Sequence, residues 1–227
     1  DMSTQRILVW DIPTRLFHWL LAGSFAGAWL TSESERLAAI HVGCGYALLG
    51  LIGFRLIYGL VGSRYARFSE FVRGPGAVID YLKSLLSGHP QRFVGHNPAG
   101  AVAIVLLLAL GLATGASGFA MYNELGGEWL EEVHEICANA MLLVVIVHVL
   151  GVVVSSVLHR ENLVRAMVTG RKEGAPDEGI VRGNGFFALL LAAAVAVFGW
   201  TTLQDGGKAA PGKVGHEKKH DKHGHDD

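Results

Sequence analysis

Apolar and polar positions divide the chain into five long apolar stretches joined by polar connections. Each stretch is close to the length that an α-helix needs to cross a bilayer. The pattern therefore predicts an all-α integral membrane protein, a four-helix transmembrane bundle with a fifth transmembrane helix. The predicted spans are residues 14–31, 37–61, 99–122, 131–158 and 184–203.

The remaining segments differ in character. Within the long connection between the second and third spans, GPGAVIDYLKSLLSG has apolar residues at helical spacing, which predicts a short interfacial helix. After Gly206 the chain is polar and rich in histidine, which is typical of disorder. We therefore predict three parts: the four-helix domain in residues 1–172, a linker and fifth helix in 173–205, and the tail in 206–227.

Composition agrees with a membrane location. Of the 227 residues, 51% are hydrophobic and 17% are charged, which indicates a multi-pass membrane protein and not a nucleic-acid-binding domain. Glycines are frequent in the spans and favour close helix packing, so a homo-oligomer is possible.

Charge in the connections predicts the orientation. The connections after the second and fourth spans are rich in basic residues: Arg64, Arg67, Arg73, Lys83 and Arg92, then Arg160, Arg165, Arg171, Lys172 and Arg182. The connection between the third and fourth spans has only acidic charges: Glu124, Glu128, Glu131 and Glu132. Because basic loops stay in the cytoplasm, we expect a bacterial inner-membrane protein with a cytoplasmic N-terminus and a periplasmic C-terminus.

The fourth span carries two histidines at a spacing that indicates a cofactor. His134 and His148 are fourteen residues apart, which is about 21 Å along a helix and close to four whole turns. Both imidazoles therefore leave the same face, one near each membrane surface. Histidines in such a helix should face the interior of a bundle, and this geometry suits axial ligation of two haems.

Two further histidines match these in depth. His18 lies early in the first span, near the cytoplasmic face, and His41 lies early in the second span, near the outer face. Depth therefore pairs His41 with His134 for an outer haem, and His18 with His148 for an inner haem. Bis-imidazole ligation leaves no open position at iron, so the protein should transfer electrons.

The two cysteines limit how haem is held. Cys44 and Cys137 both lie in apolar spans, and the chain has no CxxCH attachment motif. Any haem is therefore bound non-covalently, as haem b, and a disulfide framework is not expected. We expect both thiols to be buried as small apolar groups.

Other residues near the predicted inner haem have two interpretations each. Asn97 and Pro98 suit the cap and first turn of the third span, so His96 is either part of that turn or, with Asn97, a contact to the inner haem or to quinone. Arg15 and Arg55 either follow the positive-inside rule or pair with haem propionates.

The same residues carry a family resemblance. The segments DIPTRLFHWLL, HVGCGYALLGLIGFRLIYGLVG, RYARFSEFV, HNPAG and VHEICANAMLLVVIVHVLGVVVSSVLHRENLVRAM together resemble the prokaryotic cytochrome b561 family, over about residues 6–172. That superfamily includes b-type cytochrome subunits of membrane-bound nickel-iron hydrogenases and formate dehydrogenases. The resemblance implies a four-helix bundle that holds two b haems through His18, His41, His134 and His148. The fifth span and the histidine-rich tail depart from the family pattern.

Two functions from different classes follow. The first is a dihaem cytochrome b, an electron-transfer subunit that connects the quinone pool to a periplasmic c-type cytochrome or hydrogenase-like subunit. The resemblance and the depth together imply a quinone contact near His96 and Asn97. The second is a divalent-metal transport or handling protein, in which the tail histidines His216, His220, His223 and His225 collect the ion. The spans contain almost no Asp or Glu, which counts against the second.

Overall fold

The computed structural model describes residues 5–88, 91–181 and 183–206. Two short strands, β1 (Gln5–Leu8) and β2 (Arg171–Gly174), form an antiparallel pair. The helices, in chain order, are α1 (Ile12–Thr31), α2 (Ala38–Val61), α3 (Phe68–Phe71), α4 (Pro75–Leu86), α5 (Pro98–Tyr122), α6 (Trp129–Leu158), α7 (Leu163–Thr169) and α8 (Gly185–Gly206).

All five predicted apolar stretches are helices, with ends within a few residues of those expected: α1, α2, α5, α6 and α8. The predicted interfacial helix is α4. Asn97 caps α5 as expected, since its Oδ1 atom accepts a hydrogen bond of 2.7 Å from the Gly100 amide and Pro98 occupies the first turn. Asp11 caps α1 in the same way through the Thr14 amide.

Three segments are long and apolar enough to cross a bilayer: Glu35–Val61, Pro98–Tyr122 and Trp129–Leu158. The apolar part of α8, Gly185–Thr201, is shorter. In α1 the polar side chains of Arg15 and His18 occupy the first half of the helix, which lowers its mean hydropathy. The structure is therefore that of a helical membrane protein, and the count of five spans stays a prediction.

The long helices pack in chain order, α1 on α2, α2 on α5 and α5 on α6, while α8 packs on α1 and α2. We call the end with the connections 62–97 and 159–184 the basic end, and the end with the connection 123–128 the acidic end. The main core lies between these ends and draws on five helices: Phe17, Leu48, Leu51, Ile52, Leu108, Met141 and Leu191. Many aliphatic side chains of α6 are exposed, as expected for a helix that faces lipid.

The β1–β2 pair is a departure from the predicted all-α fold. Gln5 pairs with Gly174 and Leu8 pairs with Arg171, so the segment before α1 is tied to the segment after α7. Gly170, whose φ of +79° favours glycine, accepts hydrogen bonds from the amides of Val9 and Trp10. A second apolar cluster under this sheet closes the basic end: Ile7, Val9, Trp10, Tyr65 and Ala166.

Candidate functional site

His41 and His134 face each other at the acidic end of the bundle. Their ring centres are 6.2 Å apart and their planes are inclined by 68°. A metal–imidazole bond of about 2 Å, added to about 1.2 Å from nitrogen to ring centre, puts two opposed ligands of one metal about 6.4 Å apart. The spacing of these two rings would therefore allow both imidazoles to hold one metal ion between them.

Hydrogen bonds fix the orientation of both rings. The Nδ1 atom of His41 donates to the carbonyl oxygen of Ala28 over 2.8 Å. The Nδ1 atom of His134 donates to the carbonyl oxygen of Thr114 over 2.9 Å and lies 3.2 Å from the hydroxyl of Ser117. Because a carbonyl can only accept, Nδ1 carries the proton in each ring, and Nε2 is left as the metal-binding nitrogen.

Two glycines, Gly118 and Gly45, lie beside the His41–His134 pair. A Cβ atom at Gly118 on α5 would lie 2.9 Å from Cε1 of His134, so the ring packs directly on the glycine backbone. On α2, a Cβ atom at Gly45, one turn after His41 on the same face, would have no neighbour within 4 Å. The helix surface at Gly45, on the face that carries His41, is therefore uncovered.

His18 and His148, the histidines predicted to hold an inner haem, both lie toward the basic end. They lie near enough to interact electrostatically. The Nδ1 atom of His18 is buried and has no hydrogen-bond partner, and its ring meets Trp19 edge-on with ring centres 5.0 Å apart. Buried polar atoms almost always have a partner, so the orphaned imidazole indicates a site that another group completes.

The core separates the two pairs. Met141 lies seven residues from His134 and seven from His148, and it is 2% exposed within the core cluster that includes Ile52 and Leu48 of α2. Along the rest of its length, α6 packs closely on α5 and lies farther from α1 and α2. An apolar layer therefore lies between the His41–His134 pair and the histidines at the basic end.

Arg15 and Arg55 make different contacts. Arg15 donates from Nη1 to the carbonyl oxygen of Val168 over 2.7 Å, so it joins α1 to the end of α7. Arg55 is 4% exposed, its guanidinium lies 4.8 Å from the ring centre of Phe68, and its Nη1 atom is buried without a hydrogen-bond partner. Of the two, Arg55 retains a free donor for an anionic group at the basic end.

His96 is packed between two aromatic rings. Its ring centre is 4.5 Å from that of Trp10 and 4.7 Å from that of Phe71, and its Nδ1 atom is buried without a partner. Burial lowers the pKa of His96 to about 3, and the positive charges of Arg55 and Lys172 act in the same direction. The imidazole is therefore neutral at physiological pH and available for hydrogen bonding.

The remaining candidates are placed as follows. Cys44 and Cys137 are free thiols, and Cys44 packs against Gly27. His159 is half-buried and lines a small cavity. Among residues 5–88, 91–181 and 183–206, no three His, Cys, Asp or Glu side chains are grouped to hold a metal ion. The tail histidines, His89 and Arg182 lie outside the described residues.

Sequence reasoning missed a buried polar cluster at the basic end. Asp11 is fully buried and accepts hydrogen bonds from the hydroxyl of Tyr58 and from Asn184 Nδ2, the latter over 3.3 Å. Asn184 Nδ2 also lies 2.9 Å from the Tyr58 hydroxyl. The only sequence signal was the helix-capping pattern at Asp11, which gives no partner from α2 or from the start of α8.

Comparison with known proteins identifies the family of the chain. A family model described as prokaryotic cytochrome b561 matches residues 9–170. The chain belongs to the prokaryotic cytochrome b561 family. It is therefore a membrane cytochrome of b type that takes part in electron transport and carries haem b. The imidazole pairs described above have the donor chemistry that haem iron requires.

Curated relatives carry a more specific name. Proteins named probable Ni/Fe-hydrogenase B-type cytochrome subunit occur in Rhizobium leguminosarum bv. viciae, with 23% identity over 75% of this chain and 90% of the relative. The Azotobacter chroococcum protein of that name has 27% identity over 75% and 91%, and the Cupriavidus necator protein has 27% over 74% and 87%. No solved structure matches the chain significantly.

Proposed function

We propose that this cytochrome b561 family member is a dihaem electron-transfer subunit that connects quinone at the cytoplasmic face with a periplasmic redox protein. The observation that carries the proposal is the opposed pair His41 and His134, with ring centres 6.2 Å apart and Nδ1 of each ring committed to a backbone carbonyl. When bound, each haem b supplies a one-electron redox centre.

Different residues are assigned to the two haems, to the layer between them and to a propionate. His41 and His134 hold the outer haem, while His18 and His148 hold the inner one. The carbonyl bonds at Nδ1 fix the outer imidazoles and raise their basicity as ligands. The apolar layer around Met141 keeps water out between the two sites. Arg55 pairs with a propionate of the inner haem, since its Nη1 atom has no partner within the described protein.

Quinone is expected at the basic end, beside His96. This imidazole is neutral, lies between Trp10 and Phe71, and has a buried Nδ1 atom without a partner. A quinone oxygen is a suitable partner for that nitrogen, because it accepts a hydrogen bond in the oxidised form and donates one in the reduced form. Asn97 positions His96 by capping α5.

The acidic end faces the periplasmic partner in this proposal. The positive-inside rule puts the basic connections in the cytoplasm, the N-terminus inside and the C-terminus outside, for a bundle of four helices plus α8 in the inner membrane. Glu124, Glu128, Glu131 and Glu132 then lie outside, near the outer haem, where they favour a partner with a basic surface. The relatives' name supports a hydrogenase-like subunit as that partner, and a c-type cytochrome is the other candidate.

Metal transport has less support. An ion path needs ligands close together, with oxygen or sulfur donors among them. The part of the chain that the structure describes holds no such group of three.

The quinone assignment is tested by the rate at which a soluble quinol reduces the haems in proteoliposomes. His96→Ala is expected to slow this rate at least about tenfold, because one hydrogen-bonding group at the reacting oxygen is lost. Reduction by dithionite should remain complete. Lys83→Ala, on the exposed face of α4, is the control and should behave like the wild type. An unchanged rate in His96→Ala would remove His96 from the quinone site.

A further inference from the structure

A small polar cavity lies beside His96 at the basic end. Its volume is about 40 Å³, enough for about two water molecules. The segment before α5, the end of α6 and β2 supply its walls, and its titratable side chains are Arg92, His159, Glu161 and Lys172. Gln91 and Arg92 are exposed, so the cavity reaches the protein surface.

Glu161 is only half satisfied by the protein. Its Oε2 atom lies 3.3 Å from Nζ of Lys172, which is 6% exposed and also donates to the carbonyl oxygen of Phe93 over 3.3 Å. Burial lowers the pKa of Lys172, and the carboxylate of Glu161 acts against that change. The second oxygen of Glu161, Oε1, is buried and has no hydrogen-bond partner among the described residues.

Within the described residues, the Glu161–Lys172 ion pair leaves one carboxylate oxygen without a partner. A buried salt bridge is stable when every charged atom has a partner, and a bare carboxylate oxygen costs free energy. Because Glu161 lines the cavity, water that enters there is the available partner for Oε1. The other charged or titratable groups that face Glu161 are Lys172 from β2, His159 from the end of α6 and Arg92 from the segment before α5.

The cavity borders the chain on both sides of His96. Gly95 and Asn97, the neighbours of His96 in the chain, both line it. The His96 imidazole interacts electrostatically with Lys172, which also lines the cavity, and with His148 and His18. The Nδ1 atom of His96 is a second buried polar atom without a hydrogen-bond partner among the described residues.

We propose that this cavity is the route by which protons pass between the cytoplasm and the quinone, with Glu161 as the carrier in the cavity and His96 as the group that meets the quinone oxygen. The proposal rests on the proposed function, since it requires quinone beside His96. The proposal gives a role to the cavity and to Glu161, neither of which has one in the proposed function.

The chemistry balances as follows. Reduction of one quinone to a quinol takes two electrons, supplied by the periplasmic partner by way of the bound haems, and two protons, supplied from the cytoplasm. A proton from the cytoplasm enters through cavity water, which relays it and remains H2O, and protonates Oε1 of Glu161. The proton then passes to one nitrogen of His96. The other nitrogen of His96 releases a proton to a quinone oxygen, forming an O–H bond, and Glu161 returns to the carboxylate paired with Lys172. Quinol oxidation runs the same steps in reverse.

The test uses the haem-loaded protein in proteoliposomes and follows haem reduction by a soluble quinol between pH 6 and pH 8. Glu161→Gln keeps the shape of the side chain but cannot carry the proton. We expect it to slow reduction at least about tenfold and to flatten the pH profile, with dithionite reduction and the absorption spectrum unchanged. Glu173→Gln, on the exposed side of β2, is the matched control and should retain the wild-type rate and profile.

The outcomes separate the two proposals. A wild type whose haems do not respond to quinol contradicts the proposed function and the proton route with it. A wild type that responds, together with a Glu161→Gln protein of equal rate and pH profile, contradicts the proton route alone. If Glu161→Gln loses haem, Glu161→Asp takes its place: slower reduction with full haem content supports the route, and an unchanged rate overturns it.

Discussion

Gly118 on α5 lies directly against the imidazole of His134 on α6: a Cβ atom at position 118 would be 2.9 Å from Cε1 and 3.2 Å from Nδ1 of that ring. The same ring is held by the carbonyl oxygen of Thr114, one turn earlier on α5. Helix α5 supplies none of the proposed haem ligands, but it fixes the position of the ligand His134.

Gly118→Ala is expected to weaken binding of the outer haem. The added methyl group must push the His134 ring away from its carbonyl partner, and overpacking of this kind costs about 1–3 kcal/mol. The haem content of the purified protein should fall below that of the wild type, with the inner haem retained. Gly199→Ala on α8, where a Cβ atom meets nothing within 4 Å, is the control and should leave the content unchanged. Equal haem content in the two variants would contradict this role for Gly118.

Arg55→Gln is expected to lower the midpoint potential of the inner haem. Loss of a buried positive charge stabilises the oxidised iron, which is the more positive form. The midpoint potential should fall by on the order of 50 mV for a charge about 10 Å away at an effective dielectric constant of about 20. Redox titration followed by absorbance measures the shift.

The matched variant is Arg15→Gln. The Arg15 guanidinium binds the carbonyl oxygen of Val168, so its loss should affect the stability of the α1–α7 contact and leave both potentials near those of the wild type. A shift in Arg15→Gln as large as that in Arg55→Gln would contradict the assignment of the propionate partner.

Tyr58→Phe is expected to destabilise the basic end. The Tyr58 hydroxyl donates to the fully buried carboxylate of Asp11, and without it that oxygen retains only Asn184 as a donor among the described contacts. Loss of a hydrogen bond to a buried charged group costs about 1.5–3 kcal/mol, which corresponds to a melting temperature lower by about 3–12 °C. Tyr122→Phe, with the ring 63% exposed, should melt like the wild type. Equal melting temperatures for all three proteins would show that the cluster adds no stability.

Stability should fall in acid in a way that depends on His96. Burial lowers the pKa of His96 to about 3, whereas an unfolded histidine titrates near 6.5. The unfolded chain therefore binds the extra proton between these values, and the folded state loses about 2–3 kcal/mol from pH 7 to pH 4.5 at this residue. Thermal melts at both pH values should show a smaller acid-induced drop for His96→Gln than for the wild type. A drop of the same size would mean that His96 is not held neutral.

Much of the membrane part could be predicted from the sequence, because long apolar runs have few alternatives to a helix. The spacing of His134 and His148 fixed a common face. The depth of His41 in the membrane predicted His134 as its partner. In the structure the His41 ring lies opposite the His134 ring. The Asn97–Pro98 pattern correctly located the start of α5.

The basic end could not be predicted in the same way. The β1–β2 pair joins two four-residue strands more than 160 positions apart, and the segments QRIL and RKEG have no hydrophobic period that would indicate a strand. The partners of Arg15, Asp11 and Glu161 depend on that closure, since they come from α7, from α2 and from β2. Long-range pairing of polar side chains has no local sequence signal, so these contacts became visible only in three dimensions.

The most direct test of the account is the haem content per chain of the purified protein, from a pyridine haemochrome assay combined with a reduced-minus-oxidised spectrum. The account predicts two low-spin b haems in the wild type and one in His41→Ala and in His18→Ala, each variant losing a different spectral component. A wild type with a single haem, or variants that both keep two, would contradict the two-pair arrangement.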